Sequence, residues 1–315
     1  MVWDSIDNVV YVANYNDSSV VAIDQTNSIR AAIRTSRFPV ALTWAAQRNR
    51  LYAACSLGGV TVINCATNSV VKIIPTGQNP TALCWNATNN KVYCANRQDS
   101  SLTIVDGSND SVLVHRRVGA GPSAVCWHPT LNRVYVANSI ANTVTVIDGV
   151  TNAILATVPV GTEPVALVAD DVRNQVFVIN RGSSSVTVIS AANTAFPDEF
   201  VPLGPRHAVW NPQQEKVYVA CTNGNQIGAV HAATRHVETF FVGNQPRGLA
   251  WMAYPSRLYV ANSGDATVSI VNCTSNSVIK TLPTGHTPHV ACYNPLTNRV
   301  YIANAGDGTI TVIGR

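Results

Sequence analysis

Residues 122–160 read PSAVCWHPTLNRVYVANSIANTVTVIDGVTNAILATVPV and contain the pattern that decides the fold. Short runs of apolar and β-branched residues alternate with turns rich in Gly, Asn, Asp and Pro, as in β-strands joined by tight turns. No run has the length or the period of a helix. The stretch therefore predicts four successive strands, at residues 122–127, 133–138, 143–148 and 153–160.

The same unit recurs eight times along the 315 residues. An aromatic residue of the second strand marks each unit and returns every 41 or 42 residues, at Tyr11, Tyr52, Tyr93, Tyr135, Phe177, Tyr218, Tyr259 and Tyr301. A second marker precedes the first by eight residues, at Trp3, Trp44, Trp85, Trp127, Ala169, Trp210, Trp251 and Tyr293. The two markers recur with the same spacing over the whole chain, which excludes a chance pattern.

A repeated four-stranded unit of this length predicts an all-β fold, a β-propeller of four-stranded blades. Eight blades account for every predicted strand, whereas seven, the alternative, would leave strands without partners. We predict one domain over residues 1–315. Its repeats cover about 1–38, 39–79, 80–121, 122–163, 164–204, 205–245, 246–287 and 288–315.

Both ends of the chain fall in adjacent incomplete blades. The first strand of blade 1 is reduced to Val2-Trp3, and blade 8 lacks a fourth strand after Gly314. These incomplete blades lead to the hypothesis that the chain is part of a longer repeat-containing protein.

Composition excludes several classes of function. Hydrophobic residues make up 46% and charged residues 12%, about half of the usual ~25%, so the chain has a large core. The net charge is only +4 and no basic run occurs, which argues against a nucleic-acid partner. No apolar stretch reaches the ~20 residues of a membrane span, and the first residues do not resemble a signal peptide. The eight cysteines recur at repeat positions and form no CxxC pair, which indicates small buried side chains.

Three segments carry a family resemblance: PVALTWAAQRNRLYAAC (39–55), HPTLNRVYVANSIANTVTVIDGVTNAILATVPVG (128–161) and NPLTNRVYIANAGDGTITVIG (294–314). They are similar to YVTN-type propeller repeats, and the resemblance covers essentially the whole chain. It implies a surface-layer or secreted protein, hence an extracytoplasmic or cell-surface location. The wider group also includes propeller enzymes, such as lactonase-like hydrolases, and the haem-bearing domain of nitrite reductase.

The position after the repeat proline lies nearest the mouth of a propeller channel, where binding sites usually occur. It reads Val40, Thr81, Ser123, Val165, Arg206, Arg247 and His289. Three consecutive blades thus bring Arg, Arg and His to the mouth, a set that can clamp a carboxylate, a phosphate or an acidic sugar. The alternative is a solvated rim of Arg–Asp pairs with little effect.

Further candidates surround this set. His207 follows Arg206, and His286 precedes His289 by three residues. In the predicted propeller, other loops on the face that surrounds the channel mouth contain Arg37, Arg97 and Arg181. A metal site would require His207, His286 and His289 to converge, but they lack a recognised ligand spacing, so no metal and no cofactor is predicted. A haem would need an axial histidine, for which His289 is the only fair candidate.

Two functions remain open, because catalytic motifs such as GxSxG and the P-loop are missing. The first is a non-catalytic binding or surface-display propeller, a monomer that presents polar loops to a protein or carbohydrate, with a small anion as a further ligand. The alternative is a lactonase-like hydrolase or a lyase with its site in blades 6–8. The recurring Trp residues are interpreted as blade-to-blade packing.

Overall fold

The computed structural model describes residues 1–314. The chain folds as two compact units, Met1–Pro159 and Val160–Arg315, and each contains four antiparallel sheets. We number the sheets as blades 1 to 8 in chain order. Within every sheet, strands that are consecutive in the chain are neighbours, so each blade is a simple meander.

The first unit contains blades 1 to 4. Their strands are β1 Val2–Asp4, β2 Val9–Asn14, β3 Ser19–Ile23 and β4 Ile29–Arg34; β5 Arg37–Ala45, β6 Arg50–Leu57, β7 Gly59–Asn64 and β8 Ser69–Ile74; β9 Pro80–Asn86, β10 Lys91–Asn96, β11 Ser101–Asp106 and β12 Ser111–Arg117; and β13 Pro122–His128, β14 Arg133–Asn138, β15 Thr143–Asp148 and β16 Ile154–Pro159. One 3-10 turn, Ala46–Arg48, follows β5.

The second unit contains blades 5 to 8. Their strands are β17 Pro164–Asp170, β18 Gln175–Asn180, β19 Ser185–Ile189 and β20 Glu199–Phe200; β21 Pro205–Asn211, β22 Lys216–Cys221, β23 Gln226–His231 and β24 Val237–Phe241; β25 Pro246–Met252, β26 Arg257–Asn262, β27 Thr267–Asn272 and β28 Ser277–Pro283; and β29 Pro288–Asn294, β30 Arg299–Asn304 and β31 Thr309–Ile313. Over residues 1–314, blade 8 has three strands and every other blade has four.

These sheets confirm the predicted all-β fold and the count of eight blades rather than seven. The strand order of each blade follows the unit derived from residues 122–160, where the structure has strands at Pro122–His128, Arg133–Asn138, Thr143–Asp148 and Ile154–Pro159. That all eight repeats form one domain stays a prediction, because the chain divides into two compact units.

Apolar clusters form where neighbouring blades of a unit face each other. Between blades 3 and 4, Tyr93, Ile104 and Val134 are fully buried, and Trp127 packs against them. Between blades 6 and 7, Trp251 packs in the same way against a cluster that includes Tyr218. The blade-to-blade role of the Trp residues is confirmed, although they are half-buried and the Tyr markers lie deeper. The eight cysteines, all in described residues, are free thiols, and five are buried.

The Trp markers also hold the turn between first and second strands. In blade 2, Trp44 Nε1 donates to Asn49 Oδ1 at 3.0 Å, and Asn49 has a φ of 49°, a left-handed conformation that Asn tolerates. Blade 3 repeats the bond from Trp85 to Asn90 at 3.1 Å. This recurrence assigns the Trp and Asn slots to structure.

Two sets of loops share one side of each blade, as predicted. The loop that leads into a first strand is hydrogen-bonded to the loop between the second and third strands. In blade 3 the Gln78 N–H donates to Asp99 Oδ2, and in blade 8 the His286 N–H donates to Asp307 Oδ2, both at 2.8 Å. We call this side of a blade its loop face. No helix within residues 1–314 is long and apolar enough to cross a membrane.

Candidate functional site

The first strands of blades 6, 7 and 8 each begin with a β-bulge. Their pairing register shifts directly after the leading proline, which makes Arg206, Arg247 and His289 the extra residues. A bulge breaks the alternation of side chains and re-aims the extra residue. The same shift occurs at Val40 and Val165, so the geometry of the slot belongs to the repeat. Only its chemistry is particular to blades 6 to 8.

These bulges bring charged and polar side chains to one cavity of about 230 Å³ in the second unit. The cavity is lined by Arg206, His207, Arg247, Gly248, His289 and Val290. Four of the eight predicted site residues therefore lie together. Gly248 and Val290 are lining residues that the sequence reasoning missed.

Gly248 controls how closely β25 and β29 approach. A Cβ atom at this position would lie 2.6 Å from His289 O and 2.8 Å from Val290 Cα, so no larger residue fits without moving a strand. The equivalent positions in blades 2 to 5 are alanines, including Ala124 and Ala166, whereas blades 6 and 8 have His207 and Val290 there. A glycine where the repeat has alanine was the available signal, and it can be recognised only by comparing repeats.

The two arginines of the cavity are not neutralised. Neither Arg206 nor Arg247 forms an ion pair with any residue between 1 and 314, and Arg247 Nε is buried without a hydrogen-bond partner there. Their charges reach His289, whose pKa is lowered by burial and then by Arg247 and Arg206. The cavity therefore concentrates positive charge.

His207 contributes a neutral imidazole. Burial, followed by the influence of neighbouring charges that include His289, lowers its pKa from 6.5 to about 4. Its Nδ1 atom is buried and accepts or donates no hydrogen bond among the described residues. At neutral pH His207 is therefore uncharged and offers a free hydrogen-bonding atom beside the two guanidinium groups.

The other predicted residues lie elsewhere. His286 is exposed in the loop before β29, and Arg181 is ion-paired with Glu163. In the first unit, the Arg37 guanidinium lies 5.4 Å from the centre of the Phe38 ring, and the Arg97 N–H donates to Asn79 O at 2.9 Å. None of these four lines the cavity.

A metal ion and a haem would each need a specific set of ligands or a specific volume in this cavity. Among residues 1–314, no three His, Cys, Asp or Glu side chains converge so as to hold a metal ion. A volume of about 230 Å³ is below the ~300–1,000 Å³ of sites for drug-sized ligands and favours a ligand smaller than a haem.

Comparison with known proteins identifies the fold. No protein-family model and no curated protein matches the chain. Among solved structures, the C-terminal WD40 domain of Sif2 is similar with a TM-score of 0.81 and 11% identity, over 99% of this chain and 94% of that one. The computationally designed Ika8 protein has a TM-score of 0.82 and 15% identity, over 98% and 93%. Hydrazine synthase of Kuenenia stuttgartiensis has a TM-score of 0.70 and 19% identity, over 88% and 95%.

The chain has a β-propeller fold with eight blades. WD40 repeats form four-stranded propeller blades, in agreement with the eight meanders of this chain. At identities below one fifth the likeness extends to the fold alone. A domain, a designed protein and an enzyme share it, so function depends on the site rather than on the fold.

Proposed function

We propose that this chain is a non-catalytic binding propeller and that blades 6 to 8 hold a small anionic ligand. The observation that carries the proposal is the pair Arg206 and Arg247, which line one cavity and have no acidic partner in residues 1–314. Two guanidinium groups that line the same cavity, Arg206 exposed and Arg247 half-buried, repel each other, and a bound anion would relieve that repulsion.

The ligand is a carboxylate or a phosphate group. Guanidinium groups bind both through charge-assisted hydrogen bonds, and His207 Nδ1 and Arg247 Nε supply unused hydrogen-bonding atoms. The cavity of about 230 Å³ favours a small anion, or the acidic end group of a larger partner.

The proposed function also includes a cellular location and an oligomeric state. The YVTN-type resemblance of the repeats supports an extracytoplasmic or cell-surface protein that presents polar loops to a protein or a glycan. A monomeric state is a separate part of the proposal. Fractionation of cells that produce the full-length protein, followed by size determination of the purified chain, would test location and oligomeric state.

Calorimetric titration tests the anion site, with citrate and inorganic phosphate as probes. We expect binding by the intact chain and a loss of at least about a hundredfold in Arg206→Ala/Arg247→Ala, since charge-assisted bonds contribute ~1.5–3 kcal/mol each. Arg30→Ala/Arg34→Ala removes the same charge from an exposed strand of blade 1 and should bind normally. Equal affinity in both double variants would refute the site.

A second candidate function, hydrolysis or lyase chemistry, is favoured by one observation. With a pKa of about 4, His207 is unprotonated at neutral pH and can accept a proton from a reacting group, although an imidazole of this pKa is a weak base. Turnover of a lactone panel, lost in His207→Gln, would support the enzyme. Anion binding without turnover would favour the binding protein.

A further inference from the structure

The first unit contains a groove of about 620 Å³ between the loop faces of blades 2 and 3. It lies beside a shortened hairpin. In blade 2, Val60 follows Tyr52 by eight positions, whereas the equivalent residues of blades 3 and 4, Leu102 and Val144, follow their Tyr marker by nine. The shorter turn passes through Gly58 and Gly59, which both have positive φ and line the groove. A departure in repeat length therefore accompanies the groove.

The groove wall is uncharged and mostly apolar, with a few side-chain amides. No Lys, Arg, His, Asp or Glu side chain lines it, and its amide groups come from Gln78, Asn79 and Gln98. None of these three amides has a hydrogen-bond partner in residues 1–314. Beside them, Leu57 and Ile73 are more than half exposed and add an apolar surface. The wall thus combines free hydrogen-bonding groups with apolar area.

The backbone that carries the amides is held in place. The Gln98 N–H donates to Gln78 O at 3.2 Å, and the Arg97 N–H donates to Asn79 O at 2.9 Å. The Gln78 N–H is itself bonded to Asp99. Because the two loops are cross-linked in this way, a ligand would meet amides on a preformed support and would order little backbone.

A stacked aromatic pair lies near the groove and is linked to it through Ser56. The rings of Tyr15 and Phe38 stack with centres 4.8 Å apart, and Tyr15 is 50% exposed. Ser56, a lining residue, donates to Phe38 O at 3.3 Å, which connects the pair to the groove. Phe38 has a φ of 62°, and the residue before the repeat proline is also left-handed in other blades, as at Asn79 and Glu163, so this conformation belongs to the repeat.

We infer that this groove binds a neutral carbohydrate. A side-chain amide both donates and accepts, as a sugar hydroxyl does, so three free amides match a polyhydroxylated ligand. The aromatic pair and Leu57 suit the apolar face of a sugar ring. An anion would find no charge in the groove, and the volume of about 620 Å³ fits several sugar units.

This inference gives a location to the glycan partner within the proposed function, but it does not depend on the anion site. The groove belongs to the first unit and the anion-binding cavity to the second. Failure of sugar binding would leave citrate or phosphate binding by Arg206 and Arg247 unaffected, and the reverse also holds.

The test uses neutral hexasaccharides of glucose, mannose and N-acetylglucosamine as probes, first by ligand-observed NMR and then by calorimetry. We expect one of them to bind the intact chain. Gln78→Ala/Gln98→Ala should weaken it by at least about tenfold, equivalent to about 1.4 kcal/mol. Tyr15→Ala should weaken it similarly.

Matched controls separate the groove from general surface effects. Gln213→Ala removes an exposed amide and Phe241→Ala an exposed aromatic ring, both in blade 6, and neither should change sugar affinity. Circular dichroism and urea unfolding would establish that each variant is folded. The inference is overturned if no hexasaccharide binds at millimolar concentration, if binding survives the groove variants, or if only a proline-rich peptide binds there.

Discussion

The cavity of blades 6 to 8 and the groove of blades 2 and 3 depart from the same repeat in different ways. In the cavity, side chains change in a slot of constant geometry, so that Arg206, Arg247 and His289 stand where Val40 and Val165 stand elsewhere. In the groove, the length of a hairpin changes and charged residues are missing from the wall. In the cavity, substitution places charged side chains at a position that every blade has. In the groove, the shorter hairpin leaves space between the loops.

Because of this difference, we expect the cavity and the groove to respond separately to mutation and to solution conditions. The regular Trp, Tyr and Asn slots hold the blades, and changes there would disturb both regions. The departures should act locally, because each lies in its own compact unit.

The largest effect is expected for Gly248→Ala. The new Cβ would collide with the backbone of His289 and Val290, and overpacking of this kind costs about 1–3 kcal/mol. The displaced strand should also weaken phosphate binding while sugar binding in the first unit persists. Urea unfolding and calorimetry measure both. Gly314→Ala is the control, since its Cβ would meet only Arg299 Cγ at 3.9 Å.

The second prediction concerns the free energy of unfolding at mildly acidic pH. The pKa of His207 is about 4 in the folded chain and 6.5 as its ordinary value, so the unfolded chain binds more protons between these limits. Stability is therefore full above pH 6.5 and falls as the pH is lowered towards 4.

His207→Gln tests the source of that loss. We expect the variant to lose about 1–2 kcal/mol less than the intact chain between pH 7 and pH 5, measured by urea unfolding. His236→Gln, an exposed position in blade 6, should behave like the intact chain. Identical pH profiles for all three proteins would show that His207 is not buried as a neutral imidazole.

Much of this architecture could be predicted from the sequence, for a physical reason. In a repeat protein, equivalent residues occupy equivalent packing environments in all eight units. The strands, the blade count and the role of the Trp residues can therefore be predicted from spacing alone. The slot of Arg206, Arg247 and His289 was identified in the same way. The bulge that re-aims these side chains was not, because register depends on pairing with the next strand.

Contacts between the loops were not predictable from spacing. Arg181 was predicted at the site but pairs with Glu163, and His286 lies in a loop outside the cavity. The groove was not anticipated, because Ser56, Gln78 and Gln98 are distant in sequence and ordinary in type. Their proximity follows from the loop face that blades 2 and 3 share.

The third prediction concerns ionic strength, which should separate the two regions without any mutation. Anion binding by Arg206 and Arg247 relies on charge and should weaken several-fold when salt shortens the Debye length from about 10 Å to about 3 Å. Sugar binding in the uncharged groove should change by less than about twofold. Calorimetric titrations at low and high NaCl measure both ligands on one preparation. A strong salt effect on sugar binding would mean that charged groups contribute to the groove.

The smallest effect is expected when the pH is lowered for anion binding itself. A bound anion favours the protonated forms of His207 and His289, so their pKa values are higher in the complex than in the free protein, where burial lowers both. Binding then takes up protons, and the affinity for sulfate, an anion that does not itself titrate in this range, should rise a few-fold from pH 7.5 to pH 6. Sugar affinity should stay constant over this range, since no titratable side chain lines the groove. Titrations in two buffers of different ionisation enthalpy would count the protons directly. Zero proton uptake would mean that the arginines alone bind the anion and that the histidines contribute only to the shape of the cavity.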